Sequence, residues 1–507
     1  ESAAAQRLTA LGFTDAAGAL RHVAALSSGV SRRAAIQRSL LPVILAELAD
    51  TACPDAGLLA YRKVSEQLGR SPWFLRLMRD GSALAPRLAT ALGSSRYVAD
   101  LLERNAQGLR LLATDADLLP RSPQQLLELL HACAVRALPD SDTELPAASP
   151  VPGLERAVAA LRRQRAHELL RIAGADVCGL IDGAGVGQAL SDLTDAVIGV
   201  ALNVSCKQIA THHGGALPIT LAVIAMGRYG GRESGYASDA DVMFVYQPTD
   251  TVDAVAGEAA SIAQAVLTPL LRLLSGPGVG PPLVLDADLR PEGRTGPMAL
   301  SLAGFTRYYQ GRASTWEALA LLRARPVAGD AQLGESFVRL IAPVRYPAAG
   351  LDAGQLLDLR RMKARVEAER LPRGADPTTH LKLGPGALSD VEWAVQLLAL
   401  RYAHRHTELQ TPRTLAALEA ACKAGLIDHS DRDTLAASWA LATAIRNALM
   451  LVRGTATDQL PRSGQELLGA ARLVHRRLVC DAGEFVDHYL QTTRRARQVV
   501  EKLMTRD

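Results

Sequence analysis

The chain has 507 residues, 48% of them hydrophobic and 21% charged, which fits a globular protein of roughly two to four domains and excludes a disordered or fibrous polymer. Its 56 Lys and Arg against 52 Asp and Glu leave a formal charge of +4, too even a balance to mark a nucleic-acid binder. The apolar content is mostly Ala and Leu rather than β-branched residues, so the composition predicts a mostly α protein.

The opening, ESAAAQRL, has neither an initiating Met nor a basic-then-apolar leader, which reads as a piece of a longer protein. Residues 6–137 predict successive amphipathic helices, as in LLAYRKVSEQLGR (58–70) and SSRYVADLLERNAQGLRLLA (94–113). The stretch 139–153, rich in Pro, Ser and acids, predicts a linker. A helix from Leu154 to Ile172, a turn at Gly183–Gly187 and a helix ending near His212 and His213 follow. The texture then changes: ITLAVIAM (219–226), DVMFVYQ (241–247) and PLVLDADLR (282–290) read as three buried strands, with a helix at 255–274 before the third. From Leu302 the helical pattern returns, through 353–370, 390–401, 411–424, 432–453 and 485–504. This divides the chain into a helical region 1–150, a mixed α/β domain 151–335 and a helical domain 336–507. No run approaches ~20 uninterrupted apolar residues, so no membrane span is expected. Six cysteines (Cys53, Cys133, Cys178, Cys206, Cys422, Cys480) are scattered without metal-site spacing, which suits a reducing cytoplasm.

The chemistry concentrates between the first two strands, in GRYGGRESGYASDADVMFVY (227–246). Adjacent glycines, Gly230 and Gly231, free the backbone to turn N–H groups toward a phosphate. Asp239 and Asp241, two apart, project from one face of a strand. Paired like charges there call for a cation, and hard divalent ions such as Mg2+ take such oxygen ligands while leaving positions for phosphate. Asp286, inside an apolar strand, supplies a third acid that needs a partner.

The order of Gly pair, SDADVMF and LDADLRP resembles the nucleotidyltransferase superfamily of polymerase-β type. The strings MGRYGGRESGYASDADVMFVY (226–246), LDADLRPEGRTG (285–296), TWEALALLRARPVAGD (315–330) and LGPGALSDVEWAVQLLALRY (383–402) resemble one family within it, the bifunctional glutamine synthetase adenylyltransferase/adenylyl-removing enzymes. Residues 11–42 and 485–504 are similar to the C-terminal, adenylyltransferase half of actinobacterial members. The resemblance implies a nucleotidyltransferase domain at 151–335, with Asp239, Asp241 and Asp286 as catalytic metal ligands. It further implies Mg2+ (alternatively Mn2+) in a two-metal site, ATP as substrate and a glutamine synthetase tyrosine as acceptor. A PII-type signalling protein is a regulatory partner in the family; neither nucleic acid nor membrane is implied. Gly230, Gly231, Ser238, Arg228, Arg232 and Arg290 form the expected nucleotide-binding set. Asp286, Asp288 and Arg290 would share a strand face, so Asp288 competes for the third ligand position. The adenylyl-removing half, working by phosphorolysis, would use the same acids and is the alternative.

Other residues read more plainly. Glu317, Arg323 and Arg325 suggest salt bridges on a helix face at the wall of the site. Ser389 is expected to cap a helix begun by Asp390 and Glu392. His212 and His213 suit a helix end. Trp316 and Trp393 read as core, and TRRARQ (493–498) as a solvated face.

Overall fold

Helix dominates because Ala- and Leu-rich segments are bounded by well-formed caps. Ser122 with Gln125, and Asp352 with Gln355, make reciprocal capping boxes at two helix starts. The computed structural model describes residues 2–69, 71–80, 83–138, 151–249, 256–311, 314–476 and 481–505. The segment expected to be one helix at 94–113 breaks at Asn105, whose φ of −144° ends the helix Arg96–Arg104 before a 3-10 stretch Ala106–Ala113. Of the expected linker, 139–150 lies outside the described residues, and 151–153 already belong to the helix Val151–Val177. That helix packs on the 30-residue helix Gly183–His212. The latter and His429–Arg453 are long and apolar enough to cross a membrane, but 78% and 61% of their apolar windows are buried within the fold, where they act as core helices.

Among the described residues the sheet has five strands, not three: β1 (Ile219–Ala225), β2 (Ala240–Pro248), β3 (Leu285–Asp286), β4 (Ala299–Ser301) and β5 (Arg325–Gly329). Antiparallel β2 and β5 flank β1, while β3 and β4 lie parallel along the other edge of β2. The mixed sheet amid helices is the architecture that composition and patterning predict. The expected strand 282–290 shrinks to two residues because the chain turns immediately after Asp286.

Strand alternation assigns the two faces. Leu221, Val223, Val242 and Phe244 pack toward the helices Gly183–His212 and Ala256–Ser275. Ile224, Met243 and Val245 meet Phe305, Phe337 and Ile341 of the helices Leu302–Gly311 and Ala331–Arg345. With both faces covered, polar side chains of the sheet reach water only at its ends. A separate core gathers the C-terminal helices, among them Leu388–Tyr402, Thr414–Lys423, His429–Arg453 and Ala482–Thr505.

Candidate active site

At the end of β1 the chain makes one helical turn, Gly227–Gly230, then loops back into β2. Met226 N–H donates to the Asp241 carbonyl at 2.8 Å, which extends the β1–β2 ladder to the first residues of β2. Parallel pairing with β3 sets Asp286 directly opposite Asp241. Like charges in that position repel, and both side chains are half-buried, while Asp239 is exposed. Burial, then the charge of Asp286 and that of Asp239, push the Asp241 carboxyl up to about 6, with Lys382 and Arg323 opposing them. Among the described residues no Lys or Arg stands within 4 Å of the carboxylates of Asp239, Asp241 or Asp286. Gly227, at φ +53°, is required here: a Cβ would fall 2.2 Å from Asp241 Oδ2. Among the described residues no three His, Cys, Asp or Glu side chains stand close enough together to hold a metal ion, so Asp239, Asp241 and Asp286 are an open set rather than an assembled metal site.

Several residues of the expected nucleotide-binding set are engaged otherwise. The N–H groups of Gly230 and Gly231 do not turn outward; they donate to Met226 O at 2.7 Å and Gly227 O at 3.2 Å. These glycines serve close packing instead, since Cβ atoms would lie 1.9 Å from Arg323 O and 2.7 Å from Pro412 O respectively. Arg290 is buried and donates to the carbonyls of Ala287, Arg294 and Gly296, so it holds the loop after β3. Asp288 does not share a face with Asp286: it pairs with Arg294 at 2.6 Å, and its N–H donates to Asp286 Oδ1 at 2.8 Å. Arg232, at φ +56°, reaches Asp192 at 3.3 Å. Arg228 donates to Glu233 O at 3.0 Å and lies over the Trp439 ring, yet its buried Nη1 has no partner among the described residues. Ser238 Oγ accepts the Gly235 N–H at 2.9 Å, fixing the turn before Asp239.

Sequence reading missed a buried network behind the Gly turn. Glu233 accepts Thr414 N–H at 2.5 Å, Thr414 Oγ1–H at 2.8 Å and Arg323 Nη1 at 3.0 Å. Arg323 also faces Glu392 at 3.6 Å, and its carbonyl abuts Gly230. Arg325 grips Asp195 through both terminal nitrogens, at 2.7 and 3.1 Å, and donates to the carbonyls of Tyr229 and Gly230. Neither arginine therefore lies on a helix face: Arg323 follows the helix Thr315–Leu321 and Arg325 begins β5, while Glu317 joins Ser314 in a capping box. The signal available was the pair of arginines itself; partners 90 and 130 residues away were not readable.

Ser389 caps nothing. The helix starts at Leu388, and Asp390 instead accepts Gly386 N–H at 2.7 Å and pairs with Lys363 and Arg497. In TRRARQ, Arg494 and Arg495 are exposed, but Arg497 belongs to that pairing. Trp316 is 36% exposed rather than core, and Trp393 is half-buried. His212 ends its helix, with Nδ1 2.8 Å from Gln208 O.

Residues 85–340, half of the chain, match the glutamate-ammonia ligase adenylyltransferase family. The chain belongs to that family. Residues 360–504 match the GlnD PII-uridylyltransferase family. Proteins named bifunctional glutamine synthetase adenylyltransferase/adenylyl-removing enzyme are similar along 99% of the chain: 47% identical in Streptomyces coelicolor, 46% in Nocardia farcinica and 44% in Mycobacterium tuberculosis. The chain spans about half the length of these relatives, 50%, 49% and 49% respectively.

Proposed function

We propose that this family member is a nucleotidyltransferase that moves AMP from ATP to a tyrosine hydroxyl of glutamine synthetase, releasing pyrophosphate and damping nitrogen assimilation. The observation that carries the reading is the open set of acids: Asp241 opposite Asp286, Asp239 two residues before, and no cation of the chain within 4 Å of them among the described residues. A carboxylate raised to about 6 by burial and by the neighbouring acids is a site that favours added positive charge. Hard oxygen donors in that number suit Mg2+, or Mn2+ in its place, and the ions when bound would neutralise phosphate charge and lower the pKa of the attacking hydroxyl. Asp239 and Asp241 would hold both ions, and Asp286 the one beside the acceptor. Gly227 keeps room for the Asp241 carboxylate, and the Arg323–Glu233–Thr414 network fixes the turn that carries it. Arg228, with its unpartnered buried Nη1, is the member of the expected set best supported as a phosphate contact.

The division at 150 and 335, with 151–335 as the catalytic unit, belongs to the same proposal, as does a cytoplasmic setting. The match of 360–504 to a family named for PII uridylylation supports a PII-type protein as regulator. Phosphorolytic removal of AMP would use the same acids; the likeness of residues 11–42 and 485–504 to the adding half favours addition. Incubation with ATP, Mg2+ and unmodified glutamine synthetase tests the proposal: subunit mass should rise by one AMP with release of pyrophosphate. ADP formed from adenylylated synthetase and phosphate, with no gain by the unmodified enzyme, would assign the opposite reaction.

A further inference from the structure

Asp239 is the acid whose aim the sheet does not set. β2 begins one residue later, at Ala240, so strand alternation does not by itself turn Asp239 toward Asp241. Its side chain is exposed, and no Lys or Arg among the described residues stands within 4 Å of the carboxylate. Its place is therefore set by the backbone on either side. After it, Ala240 N–H donates to Val284 O at 2.9 Å. Before it lies a tight turn, in which Gly235 N–H donates to Ser238 Oγ at 2.9 Å and Ser238 N–H to Gly235 O at 3.1 Å.

Tyr236, inside that turn, ties it to helices from both ends of the chain. Its buried ring lies 5.6 Å from that of Tyr97, on the helix Arg96–Arg104. Its hydroxyl donates to Asp176 Oδ2 at 3.0 Å, near the end of the helix Val151–Val177. The other oxygen of Asp176 meets Arg476 Nη2 at 3.1 Å, and Arg476 Nη1 donates to the carbonyls of Asp176 and Val177. Arg476 follows the helix Gln465–His475 at φ +54°, a conformation costly for such a residue and kept only where contacts enforce it. Burial raises the Asp176 carboxyl, while the charge of Arg476 and the Tyr236 hydroxyl oppose the rise, so the acid depends on these two partners. Residues 60 and 300 positions from Asp176 thus close on one carboxylate, and one of them stands in the turn that delivers Asp239.

We propose that Tyr236 is a positioning residue for the Asp239 carboxylate, with the Asp176–Arg476 pair holding its hydroxyl in place. The proposal rests on the metal role given to the acids above. Tyr236 acts through the turn: with its hydroxyl anchored, the backbone before Asp239 is fixed, and an otherwise unsupported carboxylate is presented to the cation in one orientation. Losing an outer contact that orients a metal ligand costs roughly 10–100-fold in metal affinity or activity.

Binding of Mn2+ to the metal-free chain, followed by the electron paramagnetic resonance of free Mn2+, tests this without turnover. Tyr236→Phe removes one hydroxyl and keeps the ring. Arg476→Ala alters a side chain that is 40% exposed, and Arg476→Lys keeps its charge but not the fork that spans Asp176 and Val177. Tyr236→Phe should weaken Mn2+ binding about tenfold and Arg476→Ala by a smaller factor, with Arg476→Lys between Arg476→Ala and the parent. In an Asp239→Asn background, where the ligand is already gone, Tyr236→Phe should cause no further loss. Parental Mn2+ affinity in folded Tyr236→Phe and Arg476→Ala, with only a lower Tm, would make these contacts purely structural and overturn the proposal. The same loss in both backgrounds would overturn it too, since Tyr236 would then act elsewhere. An unaltered chain that binds no Mn2+ would overturn the metal role and this proposal together, whereas one that binds Mn2+ but transfers no AMP would overturn the AMP-transfer reading alone.

Discussion

Asp390 and Asp241 are both acids withdrawn from water, and their surroundings push them in opposite directions. Burial alone would raise Asp390, but Lys363, the Gly386 N–H and Arg497 outweigh it and hold the carboxyl below its ordinary value. At Asp241 burial is reinforced by Asp286 and Asp239, and the carboxyl rises to about 6. The first acid has its counter-charges within the chain and is complete as architecture. The second faces its own kind, an arrangement that costs stability unless a cation from outside joins it. On the proposed function, this contrast marks the catalytic acid better than burial does, since Asp390 is the more buried of the two.

The comparison is broken most easily at its functional end. Asp239→Asn and Asp241→Asn should each lower transfer by about a hundredfold or more, with an unchanged circular dichroism spectrum, because electrostatic stabilisation is removed without opening a cavity. Retention of more than about a tenth of the activity would put the acids outside the chemistry. The opposite result is expected at Asp390. Asp390→Ala leaves Lys363 and Arg497 short of a buried partner and should cost roughly 3 kcal/mol in urea unfolding, while the folded fraction transfers AMP at close to the parental rate. A hundredfold loss of transfer there would erase the distinction.

Two smaller effects sharpen it. Gly227→Ala forces a Cβ toward Asp241 Oδ2 at a positive φ, so it should cost about 1–3 kcal/mol of stability and slow transfer with it. Equal thermal stability of the variant and parent would show that the carboxylate does not depend on this glycine. The least effect is in the metal-free protein. A folded pKa of about 6, above the ordinary 3.8, means the native state favours the protonated acid; the stability so gained is complete below about pH 4 and is lost as pH rises toward 6. Asp241→Asn should therefore raise Tm at pH 7.5 without added metal and leave it nearly unchanged near pH 4. A lower Tm at pH 7.5 would mean that ionised Asp241 has a partner after all.

What the sequence disclosed follows the range of the interactions. β1 and β2 were legible because each is a continuous apolar run, but β2 begins at Ala240, so Asp239 lies just before the strand and strand alternation does not by itself aim it with Asp241. β3 was expected as a strand but seven residues too long, and three-residue β4 was not expected at all, since parallel pairing to β2 makes it a strand, not any local pattern. The same holds for β5, whose Arg325 reads as part of a helix until Asp195 and β1 are beside it. Gly230 and Gly231 were noticed for the right feature, a missing Cβ, but its use is packing against Arg323 and Pro412 carbonyls far along the chain. Asp288 and Arg290 looked like site residues because PLVLDADLR scans as one strand; a turn after Asp286 commits both to their own loop.

The most direct test of the central claim, that the three acids are unpaired because a divalent cation completes them, is calorimetric titration of ATP with and without Mg2+. The unaltered chain should bind ATP appreciably only when Mg2+ is present, and Asp241→Asn should abolish that dependence together with the binding. Equal affinity for ATP in Mg2+ and in EDTA would contradict the account.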